Sequence, residues 1–246
     1  MKITTHHSLV FSIFSNILYY VIAFPILKLL LKIVYDLKIE GKENIRNIKG
    51  AVISVSNHVL PLDCVMVGLA YGTKSVYYTT QEQTFDILFV RYLVKFLRGI
   101  PVPKKIKDKK VFINVINESL QEGKSIHFYP EAEMTLREEK IKPFKNGAFD
   151  FAVENEVSII PMIFCFREPN KFRKLFKKKK DVTLVILEPI YCNKSEDKNS
   201  KQIAIKIKEE VYEKMNDALR NEEGKLNENI NKRKICLKNN AWFSNA

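Results

Sequence analysis

At 246 residues the chain is long enough for one domain of ordinary size plus appendages, and 46% hydrophobic residues exclude a chain disordered throughout. Lys plus Arg number 41 against 28 Asp plus Glu, a formal net charge of +13, which favours an anionic partner: a membrane surface, nucleic acid or a phosphorylated substrate. The cysteines Cys64, Cys165, Cys192 and Cys236 form no CxxC pair, and His6, His7 and His127 have no ligand-like spacing with them, so no metal site is expected.

Residues 9–27 carry no formal charge and are just long enough for a bilayer core, which needs about 20. Ser12, Ser15, Asn16 and Pro25 weaken a straight span. Two arrangements follow for residues 1–37: one span, or two short helices bent at Pro25 and held in one leaflet, with Lys28, Lys32 and Lys38 reaching toward head groups. A core helix tucked under the main domain is the soluble alternative. The basic start is thin and no small-residue cleavage site follows, which speaks against a secretory signal.

From residue 38 strands and helices alternate. The patterning predicts strands at residues 51–56, 75–79, 125–129, 158–166 and 182–187, with a short extended piece at 100–103. Helices are predicted at 62–71, 85–97, 109–121, 147–155 and 201–219. Short strands without strict alternation imply an α/β fold: a mixed central sheet with helices on both faces, preceded by an N-terminal membrane-associated helical segment. Residues 38–220 form the main domain. The polar tail, 221–246, reads as loosely ordered.

The apolar run at residues 51–55 leads into Asn57-His58-Val59-Leu60-Pro61-Leu62-Asp63. Histidine titrates nearest neutral pH, and a carboxylate can hold its imidazole in one tautomer. In one continuous helix, five positions would turn His58 and Asp63 away from each other. Pro61 instead predicts a loop after His58 and a helix starting near Pro61 or Leu62, which leaves Asp63 free to turn back. The same pattern fits a half-buried histidine beside a capping aspartate.

Two further segments stand out. Phe128-Tyr129-Pro130-Glu131 would project a carboxylate from a sheet edge, where α/β folds place ligands; an exposed loop acid is the plain alternative. Gly99-Ile100-Pro101-Val102-Pro103-Lys104 ends a rigid piece with a basic group that could grip a phosphate or simply be solvated. Gly123-Lys124-Ser125 lacks the upstream glycine of a P-loop, and the chain has no GxSxG or GxGxxG.

In their order, these segments resemble the glycerolipid acyltransferase family, typified by bacterial 1-acylglycerol-3-phosphate acyltransferase. The family pattern NHxxxxD is similar to Asn57, His58 and Asp63; the lead-in "EG-x-EN" looks like residues 40–44, and the G-(F/I)-P-V-x-R block resembles 99–104, with Lys104 for Arg. The F-P-E-G-T-R-S block corresponds to residues 129–135, and the F-K-x-G-A-F and I-P-(V/M) runs to 144–149 and 160–162. The likeness covers about residues 38–190.

The resemblance implies an acyltransferase moving a fatty acyl group from acyl-coenzyme A or acyl carrier protein to a lysophospholipid hydroxyl, with no cofactor. It implies His58 as general base, oriented by Asp63, and substrate binding by Asn57, Lys104, Tyr129, Pro130, Glu131, Thr135 and Lys145. Where the family's third block has Gly-Thr-Arg-Ser, this chain has Ala132-Glu133-Met134-Thr135. That Arg is thought to hold the acceptor phosphate. Met134 is uncharged and Glu133 would repel an anion, which favours a zwitterionic lysophospholipid or another hydroxyl acceptor unless Lys104 or Lys145 takes over.

The basic run at residues 171–180, with Phe172, Leu175 and Phe176 between its charges, predicts a segment lying on anionic lipid; a solvated loop is its competitor. The expected location is membrane-associated, on the cytoplasmic face. Without exposed aromatics between the basic groups in any recognisable module, nucleic acid is not an expected partner. A non-catalytic lipid-binding protein with the same fold is the alternative function.

Overall fold

The structure is a computed structural model that describes residues 24–86, 88, 94, 98–138, 140–176, 180–192 and 199–243. Residues 1–23 of the predicted anchor, 1–37, and most of the helix predicted at 85–97 lie outside the described residues. Seven strands form one sheet: β1 (Lys38–Glu40), β2 (Ile53–Ser56), β3 (Val76–Gln81), β4 (Gly99–Val102), β5 (Ser125–Phe128), β6 (Ile159–Arg167) and β7 (Asp181–Ile186). Their order is β1-β7-β6-β2-β5-β3-β4. All pairs are parallel except β6 with β7, which makes the sheet mixed, as the patterning predicted.

The helices are α1 (Phe24–Tyr35), α2 (Glu43–Arg46), α3 (Asp63–Tyr71), α4 (Ile106–Gln121), α5 (Gly147–Glu154), α6 (Lys171–Phe176) and α7 (Ser200–Phe243), with a 3₁₀ turn at Glu82–Asp86. Strand alternation sorts the core onto two faces. Ile160, Met162 and Phe164 of β6 pack with Leu31, Ile45 and Met66 from α1 to α3. Ile159, Ile163 and Cys165 face the other way, against Ile116, Phe149 and Val211 from α4, α5 and α7. Both faces are covered, which is why β6 reads as a nearly unbroken apolar run.

One glycine is obligatory here. Gly41, after β1, has φ +76°, and a Cβ there would lie 2.1 Å from the Ile186 carbonyl oxygen. The glycine of the "EG" lead-in therefore lets the chain pass beside β7.

One element differs from expectation. The tail continues α7 to Phe243; from residue 200 onward it holds no proline, and lysine and glutamate favour helix as much as solvent. Within the basic run, residues 171–176 form α6, and Arg173 turns inward from it: its guanidinium binds buried Asp181 (3.1 Å) and donates to the Ile33 carbonyl at the end of α1 (2.9 Å). Pro25 lies at the start of α1 as described, and the bend expected there involves residues outside the described ones. Among the described residues no helix is long and apolar enough to cross a membrane.

Candidate active site

The parallel strands β2 and β5 and the start of α3 meet at one edge of the sheet. β2 ends at Ser56, and a loop carries Asn57 and His58 to the first residue of α3, Asp63. A turn closed by the Asp63 amide on the Leu60 carbonyl (3.3 Å) brings the carboxylate back over the loop. Asp63 Oδ2 lies 2.6 Å from His58 Nδ1 and accepts the backbone amides of Val59 (3.2 Å) and Leu60 (3.4 Å). Its Oδ1 accepts the Tyr129 hydroxyl at 2.7 Å.

Asp63 is fully buried, so these donors, with the start of α3, replace the water that a carboxylate requires. An acceptor facing Nδ1 fixes the proton on that nitrogen and leaves Nε2 with a lone pair. Nε2 makes no hydrogen bond among the described residues, and the side chain keeps 25% of its surface exposed. The Tyr129 ring stacks on the imidazole, centroids 4.0 Å apart. This is an oriented imidazole with one nitrogen buried on a carboxylate and the other open.

Tyr129 was expected to bind substrate; the structure places it in the histidine's own support. The family block has phenylalanine there, and the hydroxyl that phenylalanine lacks is the atom that reaches Asp63. A tyrosine in place of that phenylalanine, beside a presumptive His–Asp pair, was the available signal.

A second support lay hidden in the sequence. His127 on β5 is fully buried, with Nδ1 2.9 Å from Ser54 Oγ and Nε2 3.1 Å from Ser56 Oγ. Ser56 donates its proton to the Asn57 carbonyl (3.0 Å), so it accepts from His127 Nε2–H. Ser54 then donates to Nδ1 and itself accepts the Tyr71 hydroxyl (2.9 Å). Burial, with the nearby His58, pushes the His127 pKa down to about 3, so the ring stays neutral. The chain of bonds runs from α3 through β5 to the backbone just before His58. An isolated histidine flanked by apolar residues gave no hint of it.

The remaining expected residues separate by role. Asn57 is fully buried, its amide donating to the Phe164 carbonyl (3.1 Å) and accepting the Phe164 amide (2.8 Å); it ties the His58 loop to β6. Pro130 is buried and its carbonyl accepts the Lys145 amide (2.8 Å), which joins the third and fourth sequence blocks. The Thr135 amide donates to the His58 carbonyl (2.8 Å), and its hydroxyl is buried without a partner. Glu131 is 4% exposed, and neither carboxylate oxygen has a side-chain hydrogen-bond partner among the described residues. Burial raises its pKa to about 7, against a smaller opposing pull from Lys142.

Lys145 and Lys104 are exposed. Lys104 follows β4, three strands from β2, a spacing of roughly 14 Å. That sets it away from His58 Nε2. Glu133, expected to repel an anion, is paired with Lys142 at 2.7 Å and feels the charge of Lys145, so the loop does not present a bare negative charge. Cys64 adjoins Asp63, but burial and that carboxylate push its thiol up to about 12, far from a nucleophilic thiolate. Among the described residues no three His, Cys, Asp or Glu side chains converge as metal ligands.

The sequence model described as Acyltransferase matches residues 36–165, more than half of the chain, including β1 to β5 and every element of this site. The chain belongs to the acyltransferase family. A chloroplastic 1-acyl-sn-glycerol-3-phosphate acyltransferase of Arabidopsis thaliana is 29% identical over 131 residues, 52% of this chain and 35% of that protein. One from Brassica napus is 26% identical over 168 residues, 66% of this chain and 47% of that protein. This acyltransferase-family chain thus spans less than half the length of the curated relatives it matches. The crystal structure of a 1-acyl-sn-glycerophosphate acyltransferase from Thermotoga maritima aligns over 72% of this chain and 71% of that one, with a TM-score of 0.48 and 21% identity.

Proposed function

We propose that the protein transfers a fatty acyl group from an acyl thioester, acyl-coenzyme A or acyl carrier protein, to the hydroxyl of a membrane lysophospholipid. 1-Acylglycerol-3-phosphate is the favoured acceptor, because both chloroplastic relatives carry that activity in their names. The observation that carries the reading is the 2.6 Å bond from His58 Nδ1 to a buried, fully coordinated Asp63, with Nε2 left open.

His58 Nε2 takes the proton of the acceptor hydroxyl as that oxygen bonds to the thioester carbonyl carbon. Asp63 stabilises the imidazolium that forms. When the tetrahedral intermediate collapses, the carbon–sulfur bond breaks and the imidazolium returns its proton to the leaving thiolate. Transfer is direct, since the one thiol beside the site is held protonated. Glu131, buried and without a side-chain partner among the described residues, orients the acceptor near its hydroxyl. The pairing of Glu133 with Lys142, close to Lys145, keeps a phosphate head group compatible with the loop. Lys104 and Lys145 are the cations proposed to meet it.

The substrate lipids reach the site from a membrane. Support comes from α1, where Ile26, Leu29 and Ile33 are exposed, and from α6, where Phe172, Leu175 and Phe176 are 71–79% exposed beside the Arg173 link to α1. Apolar patches of this kind mark contact surfaces, and neighbouring Lys28, Lys32 and Lys174 suit anionic lipid.

The test is acyl transfer by the purified full chain in liposomes, with labelled acyl-coenzyme A and acyl carrier protein offered to a panel of lysophospholipids. General-base catalysis is worth about 10²–10⁴, so His58→Ala should lose at least ~10²-fold in turnover while staying folded. Transfer undiminished in that variant refutes the mechanism. A folded wild type that binds lysophospholipid yet releases no thiol with any donor refutes the activity and favours the non-catalytic lipid-binding reading.

A further inference from the structure

A pocket of about 490 Å³ opens between α1, the turn from β1 into α2, and the far end of α3. Five cations line it, Lys28, Lys32, Lys42, Arg46 and Lys74, and no carboxylate does. Its floor is apolar, from Leu37, Ile39 and Leu69. Two of the cations are already engaged. Lys74 donates to the Ile45, Arg46 and Ile48 carbonyls at 2.8, 3.2 and 2.9 Å, and Lys32 pairs with Asp36 at 2.5 Å.

Lys28, Lys42 and Arg46 have no ion pair among the described residues. Their charges act on one another: burial first, then Lys28 and Arg46, weaken the hold of Lys42 on its proton. Three converging, unneutralised cations are unfavourable when the pocket is empty and favourable around an anion. The volume lies within the range of small-ligand sites, roughly 300–1,000 Å³.

The place is distinct from the catalytic edge. Asp63 opens α3 and Tyr71 closes it, eight residues later, about 12 Å along the axis. A head group held near Lys74 is therefore not the one presented to His58. The pocket also adjoins α1, whose outward residues Ile26, Leu29 and Ile33 are exposed and apolar. A ligand entering past that helix would meet apolar surface first and cations behind it.

We infer that this pocket binds the phosphate group of an anionic membrane lipid, as a second lipid site separate from His58. Lys28, Lys42 and Arg46 contact the phosphate, and the apolar floor receives the adjoining part of the lipid. A free phosphate ester shares the same charged group, so the experiment must separate the two sources.

The full chain is titrated with vesicles of phosphatidylcholine alone or containing phosphatidic acid, with no acyl donor present, so binding is read apart from transfer. At about 1 kcal/mol per basic group, Lys42→Gln/Arg46→Gln should weaken binding to phosphatidic acid vesicles about 30-fold. The exposed pair Lys107→Gln/Lys110→Gln on α4 removes the same charge and should change it less than threefold. Neither Lys42 nor Arg46 makes a side-chain bond among the described residues, so melting and transfer from micellar substrates should be unchanged. Equal losses in the two double variants would mean diffuse surface charge and overturn the site. Glycerol 3-phosphate or inorganic phosphate saturating the pocket at micromolar concentration, and displacing no vesicle, would overturn the lipid as its ligand.

Discussion

Glu131 offers a test that needs no substrate. Its carboxyl is buried, both oxygens lack side-chain partners among the described residues, and its pKa stands at about 7 instead of 4.5. The folded protein therefore holds this proton more tightly than the unfolded chain, and the resulting stability is complete below pH 4.5. It is lost as the pH rises through 7, where the folded protein must carry an unpaired buried charge. At about 1.4 kcal/mol for each tenfold in proton affinity, the whole effect is about 3 kcal/mol, of which about 2.5 falls between pH 5 and 8. Glu131→Gln keeps the shape and abolishes the titration. The variant should gain about 2.5 kcal/mol relative to wild type on going from pH 5 to pH 8. Urea unfolding at the two pH values measures it, and taking the difference cancels other groups, such as His127, that titrate in the same window. A wild-type-to-variant gap that stays constant within ~0.5 kcal/mol would refute the reasoning and mean that the carboxyl is hydrated or paired.

Three other perturbations report on the support of His58. Tyr129→Phe removes the 2.7 Å bond to Asp63 but keeps the ring stacked on the imidazole; turnover should fall about tenfold with KM little changed, and unaltered turnover would show that Asp63 is held without it. Ala132 has φ +61° at the end of the turn closed by its amide on the Tyr129 carbonyl, a place suited to the family's glycine. Ala132→Gly relieves roughly 1–2 kcal/mol of left-handed strain and loses roughly half of it to chain entropy, so melting should rise by about 1–3 °C; a lower melting temperature would contradict the strain. His127→Leu strands the Ser54 and Ser56 hydroxyls in the core and should cost about 2–4 kcal/mol in denaturant unfolding at pH 7.5, whereas a neutral effect would show the network to be dispensable.

The sequence alone determined the alternation of short apolar strands with helices, because strands buried on both faces leave a continuous apolar signature. It also placed His58 and Asp63 together, since Pro61 forbids one helix through both and the loop returns the carboxylate to the imidazole. Glu131 was legible as a carboxylate at the sheet edge, and Met134 and Glu133 as departures from the family pattern. Tertiary structure decided what depends on long-range partners. Asn57 braces β6 because Phe164, 107 residues away, lies beside it. Tyr129 and His127 serve the histidine because β5 is laid next to β2, a pairing that no local pattern encodes. Glu133 is neutralised by a lysine nine positions on, α6 is pinned by the inward Arg173, and three cations from α1, α2 and the turn before α2 converge on one pocket. Residue type and spacing report what a segment can do; only the folded chain sets which groups are close enough for charge and hydrogen bonding to act.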